Sequence, residues 1–272
     1  MGQLRCPIYS LENDPITAEI MRKVLKKNNI YFGVPDVITS LTASPESLEK
    51  DANAIHTENG VLYLEDHGDI PPYLKELTPN IHWIDSERMR CEWDAKLYLH
   101  NTPHCIAAFY GFLSGCTYVH EALANKEIAL ILEGVVDEVL QTLKILTNYD
   151  HTFMEEYAKK EIRRFSNPLL FDPVLRVARE PVRKLQPEGR LLGILRMAIS
   201  AGVMPINLTK GIVAALRYLE PRDRDFEVIK TLDSIEIREF LFAHFKVDKS
   251  SAESFLICKA YNEYHFQGKL HD

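Results

Sequence analysis

The chain changes its hydrophobic pattern near residue 85, and this change limits the folds that it can adopt. Before that point, short β-branched and aromatic runs at 6–11, 30–43 and 60–66 predict strands. Residues 16–27 have helical spacing, with Ile16, Ile20, Val24 and Leu25 on one face. After residue 85 almost no strand pattern occurs, and helices are predicted at about 86–115, 117–124, 126–147, 152–165, 189–201, 205–219, 235–245 and 250–265. The sequence therefore predicts an α/β part, residues 1–85, followed by a mainly α-helical part, residues 86–272.

The composition is that of an ordinary globular protein, and it argues against some classes of partner. The 272 residues suffice for one large domain or two modest ones. A net charge of -7 argues against non-specific nucleic-acid binding, which needs a basic surface. None of the five cysteines forms a CxxC pair, no apolar run reaches the roughly 20 residues of a membrane span, and the first residues lack a signal-peptide core. We therefore expect a cytoplasmic protein that binds neither nucleic acid nor membrane.

The string KLYLHNTPHC (96–105) concentrates groups that can hold or move protons. On a helix each residue advances by about 100°, so His104 lies roughly 80° and Asn101 roughly 140° from Lys96. All three side chains can therefore address one cavity. Pro103 removes a backbone donor, so we expect a kink or a restart of the helix here, with Asn101 as its cap.

Spacing alone leaves three interpretations of this string open. It can be a solvated helix face with a lone lysine and a capping asparagine. It can be a zinc site, since His100 and His104 are four residues apart, although no third ligand lies nearby and no HExxH pattern occurs. It can also be a proton-transfer site, because Gly111 and Gly115 allow close packing that would desolvate Lys96. Desolvation lowers the pKa of a lysine and suits it to general-base work.

The segment 164–189 is rich in proline and arginine, and it is long for a connection between helices. Its basic residues are Arg164, Arg176, Arg179, Arg183 and Lys184. Because a forked guanidinium suits a phosphate monoester, these residues predict a site for a phosphate or another acidic substrate. The alternative is a solvated turn that is held by structural salt bridges.

Four motifs resemble the polyol-specific long-chain dehydrogenases, the mannitol dehydrogenase family. KLYLHNTPHCIAAFYGFLSG (96–115) resembles the family's catalytic helix, and RRFSNPLLFDPVLRVAREPVRKLQPEGRLL (163–192) resembles its second motif. SLENDP (10–15) and VPDVITS (34–40) resemble two segments that come earlier in the family's order. The resemblance extends over about residues 6–265. It implies a partial Rossmann-type domain at residues 1–85, and at residues 86–272 a helical domain like the C-terminal domain of 6-phosphogluconate dehydrogenase.

The resemblance also implies roles for individual residues. Lys96 would be the general base, while Asn101 and Asn13 would bind the substrate oxygen on which alkoxide charge develops. His104 would orient the substrate, and Asp36 would lie at the edge of the polyol site. Arg164, Arg179, Arg183 and Lys184 would also bind substrate.

The implied reaction is the NAD-dependent interconversion of mannitol 1-phosphate and fructose 6-phosphate, with no metal. The ligand would then be a sugar or polyol phosphate. Free mannitol and a hexuronate remain alternatives, and NAD is not distinguished from NADP.

The sequence departs from the family mainly in its nucleotide-binding motif. The 272 residues contain no GxGxxG turn, which in dinucleotide-binding domains lets the pyrophosphate meet a helix N-terminus. Val37 replaces an arginine, Asp94 stands near the place of a glutamate, and His100 and Pro103 are substitutions within the catalytic motif. We therefore expect a separate nucleotide-binding chain as a partner. The alternatives are a non-redox remnant that binds a sugar phosphate or a protein, and a different enzyme that reuses Lys96 as a base.

Overall fold

A computed structural model describes residues 6–12, 14–37, 43–68 and 70–263. The chain divides into two compact units. The first consists of Met1–Thr39 and Thr57–Lys96, and the second of Ser40–His56 and Leu97–Asp272. The division therefore falls within the predicted helix 86–115, beyond the boundary predicted at residue 85.

The secondary structure follows the order that the hydrophobic pattern predicts. The strands are β1 Ile8–Ser10, β2 Ile30–Asp36, β3 Val61–Glu65 and β4 Ile81–Ile84. The α-helices are α1 Ile16–Leu25, α2 Pro45–Lys50, α3 Pro72–Leu77, α4 Ser86–Asp94, α5 Thr102–Leu113, α6 Val119–Leu123, α7 Lys126–Leu146, α8 His151–Phe165, α9 Val174–Ala178, α10 Pro181–Lys184, α11 Leu192–Ser200, α12 Ile206–Leu216, α13 Phe226–Lys230, α14 Ile237–Phe245 and α15 Ala252–Glu263. A π-helical segment, Ala95–Asn101, joins α4 to α5, and short 3-10 turns cover Pro168–Leu170 and Thr231–Asp233. The predicted fold class, a small α/β part followed by a mainly helical part, is confirmed.

The first unit is built on a four-stranded sheet in the order β1-β2-β3-β4. β1 and β2 are parallel, β2 and β3 are antiparallel, and β3 and β4 are parallel. Alternate residues of β2, namely Ile30, Phe32 and Val34, are buried in the core with Ala18 of α1 and Met89 of α4. The sequence pattern missed β4, since IHWI is too short to show an alternation.

Helix α1 forms where it was predicted but does not bury the face that its spacing suggests. Ile16, Ile20 and Val24 are 53%, 51% and 72% exposed among the described residues. The helix packs on the sheet through Ala18 and Met21 instead. It ends at Leu25, two residues before the predicted end, because Lys26 adopts a left-handed backbone conformation.

The second unit is helical and is organised around α5. Every residue from Thr102 to Gly111 is buried, and α5 is contacted by α6, α7, α9 and α12. Gly211 of α12 allows this close packing, because a Cβ atom there would lie 2.4 Å from Cδ1 of Ile106. Helix α7 is fastened to α12 by buried Glu138, whose carboxylate accepts hydrogen bonds from the Asn207 and Leu208 backbone N–H groups at 2.7 and 2.9 Å.

The segment 164–189 is more ordered than its proline content predicts. It contains a 3-10 turn and the short helices α9 and α10. Asp223 and Asp225 accept hydrogen bonds from the backbone N–H groups of Glu180 and Val182, both at 2.9 Å. These contacts fix the backbone between α9 and α10, where Glu180 has a positive φ of 58°. Among the described helices, none combines the length and the apolar character needed to cross a membrane.

Candidate active site

The π-helical segment determines which residues of the string 96–105 share a side. A π-helix has i→i+5 hydrogen bonds, and such turns occur frequently at functional sites. Residues five apart therefore follow one another along one side, and Lys96 and Asn101 are such a pair. In a regular α-helix they would be roughly 140° apart.

The helix continues through Pro103, contrary to the kink or restart that we expected. Pro103 lies in the first turn of α5, where its missing N–H costs little. Asn101 has helical dihedral angles, and its side chain makes no capping hydrogen bond. The prediction that Asn101 caps a restarted helix is therefore wrong, and its amide is left for another role.

Lys96 lies in the first unit, against the carboxyl end of β2. Its side chain is 7% exposed, and Nζ donates a hydrogen bond to the Pro35 carbonyl at 2.6 Å. Strand β1 pairs only with Ile30–Phe32, so this end of β2 has an edge to which β1 does not bond. Asp36, the last residue of β2, is also buried. The fold thus places Lys96, the predicted base, beside the end of β2 that carries Asp36, a predicted substrate ligand.

Asn101 presents a buried donor without an acceptor. Its side chain is 8% exposed, and Nδ2 has no hydrogen-bond partner in the described part of the chain. An unsatisfied buried amide N–H costs roughly 1–3 kcal/mol. A substrate oxygen would relieve that cost, which makes this atom a candidate oxyanion donor.

His104 is held in place by an acidic residue that the sequence analysis missed. Its Nε2 lies 2.8 Å from Oδ2 of Asp172, and its ring stacks on Phe165 at 4.6 Å between centroids. Arg176 donates through Nε to Oδ1 of the same carboxylate at 2.9 Å. Burial alone would raise the pKa of Asp172, but the hydrogen bond from His104 and the charge of Arg176 lower it. Asp172 is therefore an ionised partner of His104.

His100 has an equivalent partner on α8. Its Nδ1 is hydrogen-bonded to Oε2 of Glu161, and Arg164 donates to Oε1 at 2.5 Å. Burial lowers the pKa of His100 to about 4. Burial would raise the pKa of Glu161, but the His100 hydrogen bond and the neighbouring cations hold it at about 2. At neutral pH a neutral imidazole therefore donates to an ionised carboxylate.

The basic residues of segment 164–189 have different local partners. Arg164 is paired with Glu161, and exposed Arg183 is paired with Glu180 at 2.6 Å. Arg179 is exposed. These arginines therefore lie in different surroundings, two of them in local ion pairs.

Lys184 differs from these arginines because it is 2% exposed and donates a hydrogen bond to the Arg179 carbonyl. Burial lowers the pKa of Lys184 to about 7 and also lowers the pKa of Arg190. Neither cation is in an ion pair with a described residue. The backbone of Arg190 is tied to the start of α5, since its carbonyl accepts from Thr102 Oγ1 at 2.6 Å.

Two sequence predictions remain, namely the role of Asn13 and a zinc site at His100 and His104. Asn13, the second predicted oxyanion donor, lies outside the described residues. A zinc site would need a third ligand beside His100 and His104, since the carboxylate on one nitrogen of each ring leaves the other nitrogen available. The described residues contain no group of three or more His, Cys, Asp and Glu side chains arranged to hold a metal ion.

The dinucleotide implied by the resemblance needs a place for its pyrophosphate, usually a free helix N-terminus. In α1 the first N–H groups are met by Asp14, which accepts from the Ile16 N–H at 3.0 Å. In α4 they are met by Asp85, which accepts from the Arg88 N–H at 2.8 Å. An aspartate side chain thus occupies the N-terminus of α1 and that of α4, and neither of these two N-termini fits the pyrophosphate.

Comparison with known proteins places these motifs in a family. The model of the mannitol dehydrogenase C-terminal domain matches residues 93–262. Mannitol-1-phosphate 5-dehydrogenase of Caldanaerobacter subterraneus subsp. tengcongensis is 36% identical over 143 residues, which are 53% of this chain and 36% of that enzyme. The enzyme of the same name from an Exiguobacterium species is 37% identical over 132 residues, or 48% of this chain and 35% of that one. The match thus spans about a third of the length of these relatives.

A solved structure has the same fold. It is the ternary complex of Pseudomonas fluorescens mannitol 2-dehydrogenase with NAD and D-mannitol, with a TM-score of 0.74 at 20% identity. The superposition covers 94% of this chain and 59% of the other. The family model covers more than half of the chain, and the resemblance read from the four motifs is confirmed. This chain belongs to the mannitol dehydrogenase family.

Proposed function

We propose that this chain carries the substrate-binding and proton-transfer half of a polyol dehydrogenase. The observation that supports the proposal best is the Asn101 amide, a buried donor without a partner, on the same π-helical turn as Lys96. Such a donor is what a developing alkoxide needs, and an amine five residues before it can take the hydroxyl proton. Family membership supports the reaction class, the oxidation of a carbinol.

Lys96 is proposed as the general base. Its bond to the Pro35 carbonyl fixes the position of Nζ, so a substrate hydroxyl would meet a preorganised amine. Asn101 would donate to the same oxygen as its proton leaves, and His104 would bind a neighbouring hydroxyl. Removing the proton raises the electron density on the oxygen and so helps hydride to leave the carbinol carbon.

The proposed electron acceptor is NAD, which is present in the mannitol 2-dehydrogenase complex. Since the N-termini of α1 and α4 do not fit its pyrophosphate, we place the phosphates of the nucleotide on other residues. A separate nucleotide-binding chain is one source of such residues, and we retain it as the proposed partner.

The proposed substrate pair is mannitol 1-phosphate and fructose 6-phosphate, as the names of the relatives suggest. Lys184 supports a phosphate ester, because it is buried with a pKa of about 7, and a phosphate beside it would favour its charged form. If Lys184 attracts phosphate, Lys184→Met should raise the KM for mannitol 1-phosphate at least tenfold and leave the KM for mannitol nearly unchanged. Equal changes in the two KM values would exclude Lys184 as a ligand of the substrate phosphate.

The test of the base is NADH oxidation by the purified chain with fructose 6-phosphate. It is run alone and with the part of the Caldanaerobacter enzyme that lies outside the matched region. We expect Lys96→Ala to lower turnover by roughly 10²–10⁴-fold, the range of general acid–base catalysis. Binding of mannitol 1-phosphate, measured by calorimetry, should stay within about threefold, because Asn101 and His104 remain.

Lys159→Ala is the matched control, since Lys159 is an exposed lysine of α8. It should leave turnover unchanged. Undiminished turnover in Lys96→Ala would exclude Lys96 as the base. Binding of mannitol 1-phosphate without turnover under either condition would favour the alternative, a non-redox sugar-phosphate-binding protein.

A further inference from the structure

Two histidines one helical turn apart are each backed by a carboxylate and an arginine. His100 meets Glu161, which is held by Arg164. His104 meets Asp172, which is held by Arg176. The two imidazole rings lie edge to face, with centroids 5.2 Å apart.

The two pairs differ in the ring nitrogen that they use. Glu161 contacts Nδ1 of His100, whereas Asp172 contacts Nε2 of His104. An ionised carboxylate can only accept a hydrogen bond, so the nitrogen facing it carries the proton in a neutral ring. The other nitrogen is then a hydrogen-bond acceptor. Each carboxylate therefore selects one tautomer, and the two selections are opposite.

We propose that Glu161 and Asp172 are positioning residues that hold His100 and His104 in opposite neutral tautomers, and that His104 thereby presents Nδ1 as an acceptor for a substrate hydroxyl. This inference deepens the proposed function, on which it rests. It concerns which substrates bind and not how the hydride leaves. Glu161 and Asp172 do not themselves touch the substrate in this account.

The arrangement also selects the chemical class of the substrate. Glu161 and Arg164 balance in charge, as do Asp172 and Arg176, so this cluster is close to neutral when both rings are neutral. A neutral ring with a free acceptor nitrogen binds a hydroxyl, which can donate. It repels a carboxylate, which can only accept. Among the substrates that the sequence left open, the cluster therefore favours a polyol end over the carboxylate of a hexuronate.

The arginines make the tautomers testable by conservative substitution. In Asp172→Asn, Arg176 keeps the amide oxygen at the Oδ1 position, so the NH₂ group replaces Oδ2 and faces Nε2 of His104. An amide NH₂ can only donate, and it therefore forces the proton of His104 onto Nδ1. By the same reasoning, Arg164 makes Glu161→Gln move the proton of His100 onto Nε2.

The experiment is long-range ¹H–¹⁵N correlation spectroscopy of the histidine rings in the full ¹⁵N-labelled chain. The wild type should show His100 protonated on Nδ1 and His104 on Nε2. Asp172→Asn should reverse His104 alone, and Glu161→Gln should reverse His100 alone. Glu253→Gln is the matched control, because Glu253 pairs with Arg196 at 2.7 Å and contacts neither histidine. It should reverse neither ring.

The same variants are then titrated with D-mannitol and with D-mannuronate. Asp172→Asn should weaken mannitol binding by about tenfold, the worth of one hydrogen bond, and narrow the preference for mannitol over mannuronate. Identical tautomers of the two rings in the wild type would overturn the proposal. So would a reversed His104 that leaves mannitol affinity unchanged. Neither result depends on turnover, so failure here is distinct from failure of Lys96 as the base.

Discussion

Acid should destabilise this protein through His100 in a range of pH that can be calculated from its surroundings. Burial lowers the pKa of His100 from 6.5 to about 4. The folded state therefore binds this proton more weakly than the unfolded chain does, and protonation favours unfolding. The free energy of unfolding should have its full value above pH 6.5 and fall as the pH decreases toward 4.

The magnitude follows from the shift, at about 1.4 kcal/mol per pKa unit. His100 should cost about 2 kcal/mol of stability at pH 5 and about 3 kcal/mol at pH 4. Glu161 contributes at lower pH, because its pKa lies at about 2 and its stabilising charge is lost only as the pH falls from about 4 toward that value. The two residues therefore act in successive parts of the acid range.

His100→Asn isolates the effect, because the asparagine NH₂ can replace Nδ1–H as the donor to Glu161 and does not titrate. Urea unfolding of both proteins is measured at several pH values between 7 and 4. The stability of the wild type should fall relative to that of the variant by about 3 kcal/mol over this range. Parallel curves would mean that His100 has an ordinary affinity for its proton, and the reasoning from burial would be refuted.

Two further predictions concern the framework of the second unit. Glu138→Ala leaves the N–H groups of Asn207 and Leu208 without their acceptor and should lower the free energy of unfolding by about 2–4 kcal/mol. Glu138→Gln should lose less than half as much in the same urea assay, and equal losses would exclude the hydrogen bonds as the cause. Gly211→Ala places a methyl group 2.4 Å from Cδ1 of Ile106 and should cost about 1–3 kcal/mol. Adding Ile106→Val, which removes that carbon, should recover stability; a double variant no more stable than Gly211→Ala alone would contradict the contact.

The sequence was sufficient for the order of the longer elements, because hydrophobic periodicity is a local property. It also put Lys96, Asn101 and His104 within about two turns of one helix, but it did not predict the π-helical turn between the lysine and the asparagine. It could not supply Glu161 and Asp172, which are 61 and 68 residues away from the histidines that they contact. Those carboxylates reach the rings only through tertiary packing, of the π-helical segment against α8 and of α5 against the residues that precede α9.

Two features of the structure have signals in the sequence that the predictions did not use. Arg164 and Arg183, which stay predicted phosphate ligands, each have an acidic residue three positions earlier, Glu161 and Glu180, with which they form ion pairs. This is the spacing of helical ion pairs. The apolar spacing of α1 was equally clear, but periodicity tells which residues share a face and not whether that face is covered.

The π-helical segment holds one residue more between Lys96 and Asn101 than a regular helical turn would need. Deleting one of residues 97–99 would let the helix close as a regular α-helix, and the lysine and the asparagine would then be four residues apart. At about 100° per residue they would differ by only about 40°, and the histidine, seven residues after the lysine, by about 20°. The extra residue is therefore absorbed within the wide turn and leaves the register of α5 almost unchanged. An alignment that places a gap of one residue inside this turn keeps the lysine, asparagine and histidine matched with their counterparts.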